Sequence, residues 1–161
     1  MIYFDASYLV RLYYKDHGFE EVRHLATTDA IASAQHGQAK VVAALHRKCR
    51  EGSLTTKAYR VVLEQFGADV KADAFRWFPL SQTVLDWVRV SFNRLPAEIF
   101  LRVSDAIHLA SASEHAFPVI YSNDKNLLAA TPHFGASRRK RNSLIRPADA
   151  HLRKLSSAVR Q

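Results

Sequence analysis

"IYFDASYLVRLY", residues Ile2 to Tyr13, decides the fold. Ile2–Asp5 is a short apolar run that ends in an acid, which suits a buried strand. Ser7–Tyr14 then reads as a helix, with Leu9, Val10, Leu12 and Tyr13 apolar. The same order returns late in the chain. "PVIYS" (Pro118–Ser122) reads as a strand, Asp124 follows it, and a helix runs through Leu127–Ala130 before Pro132 and Gly135 close it. Between them the pattern predicts helices at Phe19–Leu25, Gln38–Arg50, Thr55–Phe66, Val84–Leu95 and Phe100–His115. Short strands are predicted at Ile31–Ala34 and Arg76–Leu80. Short apolar strands alternating with longer helices give an α/β domain with a mainly parallel sheet.

The 161 residues suit one domain with a real core. An apolar content of 48% with only 5 Gly and 5 Pro excludes fibrous and disordered classes. Cys49 is the only cysteine, so no internal disulfide can form. With no apolar run of membrane-spanning length and no signal-peptide pattern after Met1, the expectation is a cytoplasmic chain without a membrane partner. The net charge of +8 is unevenly spread. Residues 1–135 hold 15 Lys+Arg against 14 Asp+Glu, whereas residues 136–161 hold 8 against one. The chain therefore divides into a nearly neutral domain, 1–135, and a basic C-terminal tail, 136–161.

In a parallel sheet, ligands gather at the carboxyl ends of the strands. Asp5 and Asp124 both stand at such ends. Asp105, in "LRVSDAIHLASAS", opens a helix expected to be amphipathic, so all three acids can meet on one rim. Three carboxylates in one pocket repel unless a cation intervenes. All-oxygen ligands favour Mg²⁺ or Mn²⁺, and such an ion can activate water against a phosphate ester. The alternative is structural: Asp5 and Asp124 as N-caps, and Asp105 as first-turn charge.

The helix at Gln38–Arg50 carries an anomaly. Free N–H groups at a helix start favour negative charge, yet the only charge in its first turn is Lys40.

Four blocks, "IYFDASYLVRLY", "VVAALHRKCREG", "LRVSDAIHLASA" and "YSNDKNLLAA", resemble in order and spacing the signature blocks of PIN-domain ribonucleases, especially VapC-type toxins of bacterial toxin–antitoxin pairs. The resemblance covers most of Met1–Gly135. It implies a three-layer α/β/α sandwich and Mg²⁺- or Mn²⁺-dependent endonucleolytic cleavage of RNA. It also implies neutralisation by a cognate VapB-type antitoxin, and a homodimer. By the same resemblance Asp5, Asp105 and Asp124 are catalytic metal-site acids, with Ser7 and Asn123 in support. The family's remaining acid, a glutamate in the first turn of the third helix, matches Lys40. No Asp or Glu lies between Asp29 and Glu51 to replace it. The sequence thus predicts an impaired ribonuclease, or a PIN-fold module that binds antitoxin or RNA without cutting.

Other features point elsewhere or nowhere. The eight histidines show no metal-ligand spacing, "HGQAK" is no phosphate loop, and an aspartyl-phosphatase reading wants an acid where Ser7 stands. Tyr13, Tyr14, Phe75, Trp77, Phe78 and Trp87 are expected in the core or at a dimer face. The run Arg138–Arg141 reads as a solvated tail, or as an RNA-phosphate contact.

Overall fold

A computed structural model describes residues 1–134. The basic run Arg138–Arg141 and the rest of the tail lie outside the described residues. The elements are β1 (Ile2–Phe4), α1 (Ala6–Tyr13), α2 (Phe19–Ala26), β2 (Ile31–Ala34), α3 (Gly37–Arg50), α4 (Thr56–Lys71), β3 (Phe75–Phe78), α5 (Gln82–Arg94), α6 (Val103–Glu114), β4 (Ile120–Tyr121) and α7 (Lys125–Ala130). A 3-10 turn at Thr131–His133 follows α7.

The four strands pair in the order β3-β2-β1-β4, and each of these pairings is parallel. Side chains alternate across the sheet because successive residues of a strand point to opposite faces. Tyr3, Ala32, Phe78 and Ile120 pack with α5, α6 and α7. Phe4, Ile31 and Phe75 pack with α1 to α4. Two buried clusters on opposite faces make a three-layer α/β/α sandwich, as expected. Each fully buried Leu or Phe in these clusters contributes about 1.5–3 kcal/mol. The chain runs outward from β1 through β2 to β3, then returns to place β4 on the other side of β1. The strand order therefore switches between β1 and β4, where a parallel sheet opens a crevice at its carboxyl edge. Asp5 and Asp124 follow those two strands.

The departures from the sequence reading have local causes. α4 runs through Gly67 to Lys71, because Val70 still packs against the core and the Tyr13 hydroxyl bonds Asp69 at 2.6 Å. α6 starts at Val103 rather than Phe100, with Phe100 exposed and Leu101 buried in the preceding extended segment. Nor is α6 amphipathic. Asp105, Ala106, His108, Leu109, Ala110, Ser111 and Ala112 are all buried, and small residues let the helix sink into its layer. The aromatic residues are structural: Phe75 and Phe78 are buried, while Tyr13, Tyr14, Trp77 and Trp87 pack partly buried against the two clusters.

Helix starts fall into two groups. Asp5, Thr55, Ser81 and Asp124 cap α1, α4, α5 and α7 by accepting backbone N–H bonds through their side chains. No side-chain cap serves α2, α3 or α6. α2 compensates with Glu20 and Glu21 in its first turn, and α6 with Asp105; α3 has no acid there.

Candidate active site

Asp5, Lys40, Asp105 and Asp124 line one cavity of about 700 Å³, together with Ser7, Arg102 and Asn123. The site residues named from the sequence are thus gathered at the carboxyl edge of β1 and β4. Gly37 helps to bring α3 close enough. A Cβ there would lie 3.2 Å from both His108 Cε1 and Ser33 Oγ, tighter than ordinary contact, so glycine lets the start of α3 sit close to α6 and β2.

Asp5 is held by neutral donors. Its Oδ1 accepts from Ser7 Oγ at 2.6 Å and from the Tyr8 N–H at 3.0 Å, and its Oδ2 accepts from Ser122 Oγ at 2.6 Å. Burial pushes its pKa above the ordinary carboxylate value, with the two hydroxyls, the Tyr8 N–H and the charge of Lys40 pulling the other way. Ser7 Oγ also accepts the Asn123 backbone N–H at 3.1 Å, and Ser122 Oγ accepts that of Asp124 at 3.0 Å. These hydroxyls tie the β1 and β4 ends together. The Asn123 amide oxygen, turned toward donors, accepts from the Arg11 guanidinium.

Asp105 is held by cations. It is 1% exposed, and Lys40 Nζ donates to its Oδ1 at 2.5 Å. Arg102 Nε donates to its Oδ2 at 2.7 Å. The same guanidinium reaches Asp124 Oδ2 through its terminal nitrogen. Asp124 Oδ1 accepts from the N–H groups of Asn126 and Leu127, at 2.9 and 3.1 Å. Asp5 and Asp124 therefore do act as N-caps, alongside whatever else the pocket does.

Behind Lys40 lie two imidazoles. His36 and His108 pack with ring centroids 4.3 Å apart. His36 Nε2 donates to the Ser104 carbonyl at 2.8 Å. Burial drives both pKa values down, most strongly for His108, so both rings stay neutral. They form a neutral, largely buried backing to Lys40.

The carboxylates as arranged do not fit a divalent ion. Both oxygens of Asp105 are engaged by cationic side chains, and Asp124 gives one oxygen to Arg102 and the other to its own helix. Asp5 spends both oxygens on hydroxyl and amide donors. Among the described residues, no group of three or more His, Cys, Asp or Glu is disposed to hold a metal ion. The demand for positive charge that the acids create is met by Lys40 and Arg102.

Arg102 and Ser122 were not singled out from the sequence. Ser122 lay inside a quoted block, and a polar residue ending a buried strand was its signal. The signal for Arg102 was the one that exposed Lys40: a cation at a helix start, where the dipole disfavours it.

Three aspartates thus surround one cavity at the carboxyl edge of a parallel sheet in an α/β/α frame. The chain belongs to the PIN domain family, whose profile matches residues 2–133. Seven chains of solved structures also match, among them Mycobacterium tuberculosis VapC20, a sarcin-ricin loop cleaving toxin. That match has a TM-score of 0.61 and 17% identity, and covers 81% of this chain and 95% of that one. At such identity the likeness is one of fold. No curated protein sequence matches significantly. No helix among the described residues is long and apolar enough to cross a membrane.

Proposed function

We propose that this chain is a VapC-type toxin domain that engages RNA at the acid cavity, and that its Mg²⁺- or Mn²⁺-dependent cleavage is suppressed by Lys40. The carrying observation is the contact of Lys40 Nζ with Asp105 Oδ1 at 2.5 Å. An ammonium beside a buried carboxylate does the electrostatic work of a bound cation. At about 4 Å and an effective dielectric near 20, a lysine repels a divalent ion by roughly 8 kcal/mol, twice the monovalent figure. The pairing of Arg102 with Asp105 and Asp124 favours the same outcome, binding without efficient cutting. A cognate VapB-type antitoxin, a homodimer and a cytoplasmic location belong to this proposal through the resemblance to VapC toxins.

The test is Lys40→Glu. The substitution changes the local charge by two units and supplies a carboxylate to the cavity. The expected result is RNA cleavage dependent on Mg²⁺ or Mn²⁺ and raised at least ~100-fold over the native chain, about 3 kcal/mol of barrier. Equal cleavage by the two proteins would refute the proposal.

A further inference from the structure

Lys40 is the cation that the family pattern flags, but it is not alone. Arg102 occupies the N-cap position of α6 with extended backbone, and its side chain caps nothing. Its carbonyl accepts the Asp105 and Ala106 N–H bonds, both at 3.0 Å, while the guanidinium folds forward over the first turn. It bonds Asp105 Oδ2 through Nε and Asp124 Oδ2 through a terminal nitrogen. A planar guanidinium with separate donor edges can span two carboxylates in this way, and a lysine cannot do so with the same geometry. Lys40 enters from α3 onto Asp105 Oδ1, whereas Arg102 comes from the α6 start and takes Oδ2. The two cations therefore hold Asp105 from both of its oxygens.

Both residues stand at the end of a helix where its dipole opposes positive charge. In each case the nearest compensation is an aspartate of the cavity. The two differ in their hold on the site. The Arg102 side chain is 53% exposed and that of Lys40 26% exposed. Solvent weakens the outer contacts more than the inner one.

We infer that Arg102 is a second resident counter-ion of the cavity, bridging Asp105 and Asp124, so that two residues rather than one close the site to divalent metal. This rests on the reading of the cavity proposed above and adds Arg102 to it. It follows that Lys40→Glu alone leaves the Asp105–Asp124 pair bridged and recovers only part of the metal affinity.

The experiment is Mn²⁺ titration by calorimetry on three full-length proteins: Lys40→Glu, Lys40→Glu with Arg102→Ser, and Lys40→Glu with Arg102→Lys. Serine is a favoured N-cap, so the second protein keeps the start of α6 while losing the guanidinium. Arg102→Ser is expected to tighten Mn²⁺ binding about tenfold or more relative to Lys40→Glu alone, with Arg102→Lys in between. A purely structural role for Arg102 would alter the melting temperature but not this ratio. Affinities within twofold of one another would overturn the inference, as would Mn²⁺ binding undetectable in all three proteins. RNA cleavage separates the two readings. If Lys40→Glu binds Mn²⁺ yet cuts no RNA, the proposed function fails, and Arg102 is still judged by its affinity ratio.

Discussion

The two walls of the cavity solve the same problem in different ways. On the β1–β4 wall, Asp5 is 2% exposed and satisfied by Ser7, Ser122 and the Tyr8 N–H. On the α3–α6 wall, Asp105 is 1% exposed and satisfied by Lys40 and Arg102. Burial raises the pKa of Asp5 because neutral donors only partly replace water. Asp105 instead has charges of opposite sign on both oxygens. The comparison shows that neutral donors satisfy the buried acid on one wall, whereas cations from α3 and the start of α6 satisfy the buried acid on the other.

The largest expected effect is on the cationic wall. Asp105→Asn removes the acceptor charge shared by Lys40 and Arg102 and leaves a partly buried ammonium without its partner. The chain should lose about 2–4 kcal/mol of stability, less than a fully buried pair would cost because Arg102 remains half in water. Urea denaturation at neutral pH measures this. A loss below ~0.5 kcal/mol would mean that the two contacts contribute little beyond surface ion pairs.

A smaller effect of opposite sign is expected on the other wall. The pKa of Asp5 is raised on folding, so its neutral form is the one the fold favours. The stability it contributes is full below the ordinary carboxylate range and is lost as pH rises through the raised value. As pH rises through that raised value the fold loses the stability that the neutral form contributed, and Asp5→Asn, which cannot ionise, escapes the loss. The amide keeps an oxygen for Ser7 and the Tyr8 N–H and presents an N–H₂ toward Ser122. The variant should therefore lose less stability than the native chain as pH rises from the acid range to neutrality. Melting curves across that range decide the matter, and an equal loss in both proteins would erase the contrast between the walls.

Much of this was legible in the sequence, for reasons that can be named. Apolar runs ending in Asp5 and near Asp124 marked the carboxyl edge, because the strand–acid–helix order survives any error in element boundaries. Lys40 stood out because a helix dipole gives charge a preferred sign at each end. What stayed hidden depended on distance across the chain. Ser122 bonds Asp5 from 117 residues away, and Arg102 reaches Asp124 across 22. The buried course of α6 was misread as amphipathic, since alanine and serine carry little periodic signal even when fully packed. The length of α4 was missed because a glycine at position 67 weakens a helix pattern without breaking it when neighbouring residues still pack.

The most direct test of the account is the Mn²⁺-induced shift in melting temperature of the native chain beside Lys40→Glu. With Lys40 in the cation's place, millimolar Mn²⁺ should leave the native melting temperature unchanged and raise that of Lys40→Glu by several degrees, as binding only to the folded state requires. A clear upward shift in the native chain would contradict it, because the ammonium would then not be holding the metal's position.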